Sequence, residues 1–407
     1  MNPQTLIVTL IILFLVGILF TERKRFVIHG YFPIVYVAIC RMKFGLNAMN
    51  CAATRIPRVL SFFGFLGIIT GIIGMLFMTV EIIWSSISFF FWQAPSSVMP
   101  VLPVQIPGGL YVPPLIWILV IPIVAIVHEY GHGVIARLHN IPVKSSGFAF
   151  IGLLLPIIPA AFVEPDENAL KKAKLSQQLS VYAAGPFFNI FFAVLLVFLL
   201  GLSIPGIVSH DVTQYTSVYD LGGRVSSLQE IAALNITTIT PNSPAETANI
   251  QRGTLITAID NISVNDEAIY NHISTLKPGT NITLTTPNET RTILLGANPT
   301  TPERGWIGIQ FVPITSVTAQ ALMTYGERGV ALLLALTELL FWLIILSIGI
   351  GLFNLLPMGP LDGGRMLKEL LEKYVPTYSR PIFTTLGMVL LFVILAQLVV
   401  GVIGGLL

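Results

Sequence analysis

Six long apolar stretches divide the chain: Thr5 to Thr21, Val59 to Val80, Leu115 to Ala136, Leu179 to Ile204, Val330 to Leu356 and Ile382 to Leu406. A helix of about 20 apolar residues, rising 1.5 Å per residue, crosses the roughly 30 Å hydrocarbon core of a bilayer, and each stretch meets or approaches that length. The pattern predicts an α-helical polytopic membrane protein with about six transmembrane helices. The run Tyr31 to Cys40 is too short to span and is expected to lie in the membrane interface or dip into it. Between the fourth and fifth stretches the pattern changes to Thr-, Asn- and Pro-rich sequence. Short β-branched runs such as Ile236 to Ile239, Leu255 to Ile259 and Ile282 to Thr286 predict a soluble α+β domain there. Within it, Asn265 and Asp266 can cap a helix running to about Ser274, and Gly305 to Phe311 reads as a closing strand.

Composition agrees with the pattern. Of 407 residues 54% are hydrophobic and 10% charged, against about a quarter charged in ordinary soluble domains, which excludes a soluble globular protein. A net charge of +2 leaves no basic surface for nucleic acid. Two cysteines, Cys40 and Cys51, form no disulfide framework. The first apolar run is followed, not preceded, by Arg23, Lys24 and Arg25, so it reads as a retained anchor and not a secretory signal.

Charge fixes an orientation once it is read by position. Basic residues concentrate between the first two spans, after the third and after the fifth, and the positive-inside rule assigns those loops to the cytoplasm. Both termini and the polar domain then face outward, most simply at a plasma membrane. The stretch Glu81 to Pro114 is expected outside too, with Trp84, Phe89, Phe90, Phe91 and Trp92 as an aromatic belt. Four sequons, at Asn235, Asn261, Asn281 and Asn288, fall on the outer side. The expected organisation is an N-terminal membrane region (1–114), a first core half (115–204), the outer domain (205–329) and a second core half (330–407).

The chemistry is concentrated in the third span. After a stretch from Ile82 to Val127 without charge comes His128-Glu129-Tyr130-Gly131-His132. Histidines four apart lie one above the other on a helix face, so both imidazoles can reach one ion. Glu129, beside the first, reaches the attacking water instead of the ion, as in the HExxH arrangement of zinc proteases. Such residues inside a span cost several kcal/mol unless compensated and are functional by default. The third ligand is expected from Asp362, at the end of the fifth span and at the same cytoplasmic depth, in Asn354-Leu-Leu-Pro357-Met-Gly-Pro-Leu361-Asp362-Gly363-Gly364. His139, seven after His132, is expected to be a solvated residue at the helix end.

HExxH in one span and N-x-x-P-x-x-x-L-D-G in a later one resemble the site-2 protease family of intramembrane metalloproteases. Gly185-Pro186-Phe-Phe-Asn189 is similar to that family's Gly-Pro-x-x-Asn signature. The resemblance implies one Zn2+ per chain held by His128, His132 and Asp362, with Glu129 as general base and Asn354 contacting the substrate backbone. It implies supporting roles for Gly185, Pro186, Asn189, Pro357 and Gly363. The segment Gly147-Phe148-Ala149-Phe150-Ile-Gly152 resembles the family's re-entrant β-hairpin, whose edge would pair with an unwound substrate; relatives show Gly-x-Gly where this chain has Ala149. Residues 234–313, with Asn242-Ser-Pro-Ala-Glu and Leu255-Ile-Thr-Ala-Ile-Asp, resemble the PDZ domains of membrane-associated proteases. The implied activity is hydrolysis of peptide bonds in or near transmembrane helices of membrane-anchored substrates, as in regulated intramembrane proteolysis. A catalytically silent homologue that binds membrane proteins through the PDZ-like domain is the alternative.

Overall fold

The computed structural model describes residues 26–31, 35–43, 45–92, 96–104, 106, 109–153, 155–203, 229–264, 268–299 and 301–404, with Thr9, Leu13 and Gly17 of the N-terminal run. The first expected span therefore lies almost wholly outside the described residues, as do Arg23, Lys24 and Arg25, and the capping pair Asn265 and Asp266. Among the described residues five helices are long and apolar enough to cross a membrane. The chain divides into two compact units, one of Met1–Leu199 with Leu339–Leu407 and one of Leu200–Glu338.

The first unit opens with a sheet that the hydropathy pattern did not predict. Strands β1 (Phe26–Tyr31) and β2 (Val35–Met42) pair antiparallel, and β2 pairs in turn with β5 (Val143–Leu153), which pairs with β6 (Leu155–Pro165). Within the run Tyr31 to Cys40, Tyr31 closes β1 and residues 35–40 belong to β2, while 32–34 lie outside the described residues. The ladder satisfies backbone groups that a bare extended segment would leave exposed to lipid. In the order β1-β2-β5-β6, strand β5 is interior. A Cβ at Gly147 would strike the Cys40 carbonyl oxygen of β2, so the absence of a side chain is what lets these two strands close up.

Helix α1 (Leu46–Arg55) buries Leu46 and Met49, and α2 (Pro57–Trp92) follows it. No Gly or Pro interrupts Glu81 to Trp92, so α2 continues as helix into the stretch expected to be an outer loop. Its buried stripe includes Gly64, Gly67, Gly71 and Gly74. Small residues at three- and four-residue spacing let neighbouring helices approach without side-chain intervention. Here Gly64 and Gly67 lie against Ser180 and Phe187, Gly71 against Ala183 and Met366, and Gly74 against Leu355.

The short parallel pair β3 (Val101–Leu102) and β4 (Leu110–Tyr111) leads to α3 (Pro114–Leu138), which starts on Pro113-Pro114 and ends with Arg137 in its last turn. Its N-terminal half packs Ile116, Trp117, Val120 and Val124 against Trp342, Leu343 and Leu346. After the sheet come α4 (Glu167–Lys172), capped by Asp166, and α5 (Leu175–Ser203), with Pro186 inside it.

The second unit holds β7 (Gln229–Ile239), α6 (Pro244–Thr247), β8 (Leu255–Ile256), β9 (Ala258–Ile259), β10 (Ile262–Ser263), α7 (Ala268–Thr275), β11 (Asn281–Thr285), β12 (Thr290–Leu294), β13 (Gly296–Ala297), β14 (Gly305–Trp306) and β15 (Ile309–Val317). Two of its sheets run β15-β7-β8 and β10-β9-β11-β12 around a core that includes Ile236, Ile256, Ile259, Ile269, Ile282, Leu284 and Ile293. The expected closing strand is broken into β14 and β15 around Gly308, which has φ 82°.

Helix α8 (Ala319–Asn354) follows, broken at Gly326. It ends in bonds of the tighter i to i+3 kind, Leu355 N–H to Leu352 and Leu356 N–H to Phe353, before the turn that contains Pro357. Two further helices, α9 (Asp362–Tyr374) and α10 (Ser379–Gly404), complete the chain.

Candidate metal centre

The C-terminal half of α3 carries His128 and His132 on one face, their ring centroids 4.8 Å apart and their Nε2 atoms 3.2 Å apart. The third member arrives from the other end of the sequence. Asp362 is the first residue of α9, and its Oδ2 lies 3.1 Å from His128 Nε2 and 3.3 Å from His132 Nε2. All three side chains are about nine-tenths buried, and they form a group able to hold a metal ion.

The junction of α8 and α9 explains how Asp362 gets there. The chain must reverse within a few residues, and it does so with Leu355, Leu356 and Pro357 buried. Gly363 and Gly364 let α9 press its first turn onto that reversal. A Cβ on Gly363 would strike the Leu355 carbonyl and come within 2.8 Å of the Leu356 oxygen; one on Gly364 would lie 2.5 Å from the Met358 oxygen. An acidic residue in a first helical turn is also favoured by the helix dipole.

The far sides of the imidazoles face α5. His132 Nδ1–H donates to the Val181 carbonyl oxygen over 2.7 Å, which leaves its Nε2 with a lone pair. His128 Nδ1 lies 3.3 Å from the Asn189 amide. Where α5 passes the cluster it carries Gly185. A Cβ there would strike His132 Nε2 and lie 2.6 Å from His128 Nε2. The helix thus leaves a cradle beside three converging ligand atoms, two imidazole nitrogens and a carboxylate oxygen. This donor set is the kind that binds Zn2+, and such acceptors repel one another at these distances unless a cation or a shared proton lies between them. The residues fit a zinc ion.

Glu129 stands outside this triad. Its Oε2 accepts a 2.7 Å hydrogen bond from the Val163 backbone N–H of β6. Because that N–H points to α3, it points away from β5, and among the described residues the edge of the sheet on this side belongs to β6. Here the expectation from sequence is corrected: Gly147, Phe148, Ala149 and Phe150 lie in β5, bonded on both sides to β2 and β6, and offer no free edge. The side chain of Phe150 is outside the described ones.

Asn354 is the last residue of α8, half-buried, and its side chain has no hydrogen-bond partner among the described residues. His139 is corrected as well. It caps α3, half-buried, with Nε2 2.8 Å from Ser180 Oγ; that hydroxyl donates to Gln177, so the histidine N–H donates to it. Burial moves its pKa below the usual histidine value. Val163, Val181 and the glycine stripe of α2 were not identified from sequence. The first two act through backbone atoms, which no residue type advertises, whereas the stripe is visible as glycines at 64, 67, 71 and 74.

The family model described as Peptidase family M50 matches residues 116–394. No curated protein matches the chain.

Proposed function

The chain belongs to peptidase family M50, a family of intramembrane metalloproteases, and from that premise we propose that it is a zinc-dependent endopeptidase of the site-2 type. Its substrates are membrane-anchored proteins cut within or near a transmembrane helix. One observation carries the reading: two imidazoles and a carboxylate meet within 3.3 Å inside a membrane helix bundle, with a separate carboxylate on the next residue of the same helix turn.

His128, His132 and Asp362 would hold Zn2+. When bound, the ion supplies a Lewis acid that polarises the scissile carbonyl and makes water a better nucleophile at neutral pH. Glu129 takes the proton from the water and passes it to the leaving amine nitrogen. The Val163 N–H holds Oε2, so Oε1 is the oxygen left for the water.

A substrate helix hides its peptide bonds in its own hydrogen bonds and must be locally unwound first. Beyond Val163, whose N–H is taken by Glu129, the edge of β6 has no strand partner among the described residues and offers replacement backbone bonds, since an added strand gains main-chain hydrogen bonds along an unpaired edge. Asn354, with donor and acceptor both unused, supports the same extended backbone. In this reading the outer PDZ-like segment limits access, with the active site near the cytoplasmic face and the protein at the plasma membrane. A catalytically silent homologue would have no use for Glu129, and no observation favours it.

The test is Glu129→Gln in detergent-purified protein. The variant is expected to keep stoichiometric zinc and to lose cleavage of a membrane-spanning reporter. Retained cleavage would sink the mechanism.

A further inference from the structure

Asn189 is completely buried in α5. A buried amide is costly unless bonded, yet its Oδ1 has no partner, and its Nδ2 faces His128 Nδ1 at 3.3 Å. The packing around it is tight: a Cβ on Gly351 of α8 would lie 3.2 Å from the Asn189 Cβ. The amide is therefore held in place beside the imidazole, with rotation about Cβ–Cγ as the freedom left to it.

We propose that Asn189 is a positioning residue that sets the tautomer of His128. This rests on the metal-site reading above. For His128 Nε2 to offer a lone pair beside Asp362 Oδ2, the ring proton must sit on Nδ1, and a buried N–H there needs an acceptor. Half a turn of the Asn189 amide replaces Nδ2 with Oδ1 at the same place, changing almost nothing in shape. The orphaned acceptor then receives the Nδ1–H. His132 meets the same need through the Val181 carbonyl, a backbone oxygen that can only accept. Both tautomers are thus set from one helix, once by backbone and once by a side chain.

The choice of amide has a consequence. In its other orientation the Asn189 N–H donates to Nδ1 and favours the tautomer whose Nε2–H donates to Asp362 Oδ2, 3.1 Å away. One side chain serves both the ligand-ready and the hydrogen-bonded form of the same histidine. A carboxylate would serve only the first, and an apolar side chain neither.

The experiment measures Zn2+ affinity of the detergent-solubilised full chain by competition with a chromophoric chelator, alongside thermal melting with and without zinc. Asn189→Leu is expected to bind zinc about 10- to 100-fold more weakly. Removing the orphaned acceptor and leaving His128 Nδ1 without the amide act in opposite directions on metal-free melting, so the readout is the zinc-induced rise in Tm above each variant's own metal-free value, which should shrink. Asn189→Asp retains the acceptor and is expected to stay within about threefold of the parent or bind more tightly. Should the leucine variant fail to fold, Asn189→Ala gives the same reading. Equal affinity in Asn189→Leu, or an aspartate variant as weak as leucine, would overturn the proposal. Equal zinc binding by the parent and Asp362→Ala would instead overturn the metal-site reading itself.

Discussion

Glu129 Oε2 and the backbone N–H of Val163 are joined by a 2.7 Å hydrogen bond that ties the HExxH helix to the edge strand β6 of the sheet. The carboxylate's orientation is therefore set by a strand, not by its own helix. Substituting proline at position 163 deletes this donor without breaking the ladder, since the N–H faces away from β5 and edge strands tolerate proline there. Val163→Pro is expected to lose about 1.5–3 kcal/mol of interaction with a charged acceptor, or roughly 10- to 100-fold in kcat. Zinc stoichiometry should not change; a parallel loss of metal would mean that the strand supports the ligands instead.

The cradle at Gly185 predicts a steric effect on metal binding. Gly185→Ala places a methyl group against Nε2 of both histidines, and the expected result is a loss of zinc affinity on the order of tenfold or more. The number of bound ions per chain, by mass spectrometry of purified protein, is the measurement. Full occupancy at ordinary affinity would show that the α5 backbone does not border the ion.

Gly363 answers to packing. Gly363→Ala would drive a methyl into the carbonyls of Leu355 and Leu356, and overpacking of this kind costs about 1–3 kcal/mol or more. Because the displaced turn carries Asp362, melting temperature and zinc content should fall together. An unchanged Tm with full zinc content would contradict the docking of α9 described above.

Glu164 gives the sheet a pH dependence. The Ser145 hydroxyl donates to its Oε2 at 2.7 Å and, with Arg41 at 3.4 Å, holds the carboxyl below its usual range against a weaker opposing effect of burial. A depressed folded pKa stabilises above the ordinary glutamate value of about 4.3, and the contribution is lost as pH falls through the lower folded value. The melting difference between the parent and Glu164→Gln should therefore shrink from pH 7 to pH 3. A difference that stays constant over that range would refute the assignment.

What the sequence made legible followed from strong, local signals. Apolar runs located five of the spans, and the scarcity of charge singled out His128, Glu129, His132 and Asp362. Strand pairing was not legible in the same way. Phe26–Tyr31 and Val35–Met42 contain β-branched and aromatic residues, which suits strands, but the same residues also suit a short apolar segment at a membrane surface. The interior place of β5 depends on a partner more than 100 residues earlier, a long-range fact that no local pattern contains. The contacts of Asn189 and Val181 likewise became visible only once α3 and α5 lay side by side.

The ligands on α3 and α9 are separated by 234 residues. During synthesis, at roughly 5–20 residues per second, His128 and His132 wait on the order of 10–50 s for their third partner. A chain released early, or still entering the bilayer, carries two histidines and a base but no complete site. Under the proposed function, the gap in sequence leaves the site one carboxylate short until the helix that begins at Asp362 has been made.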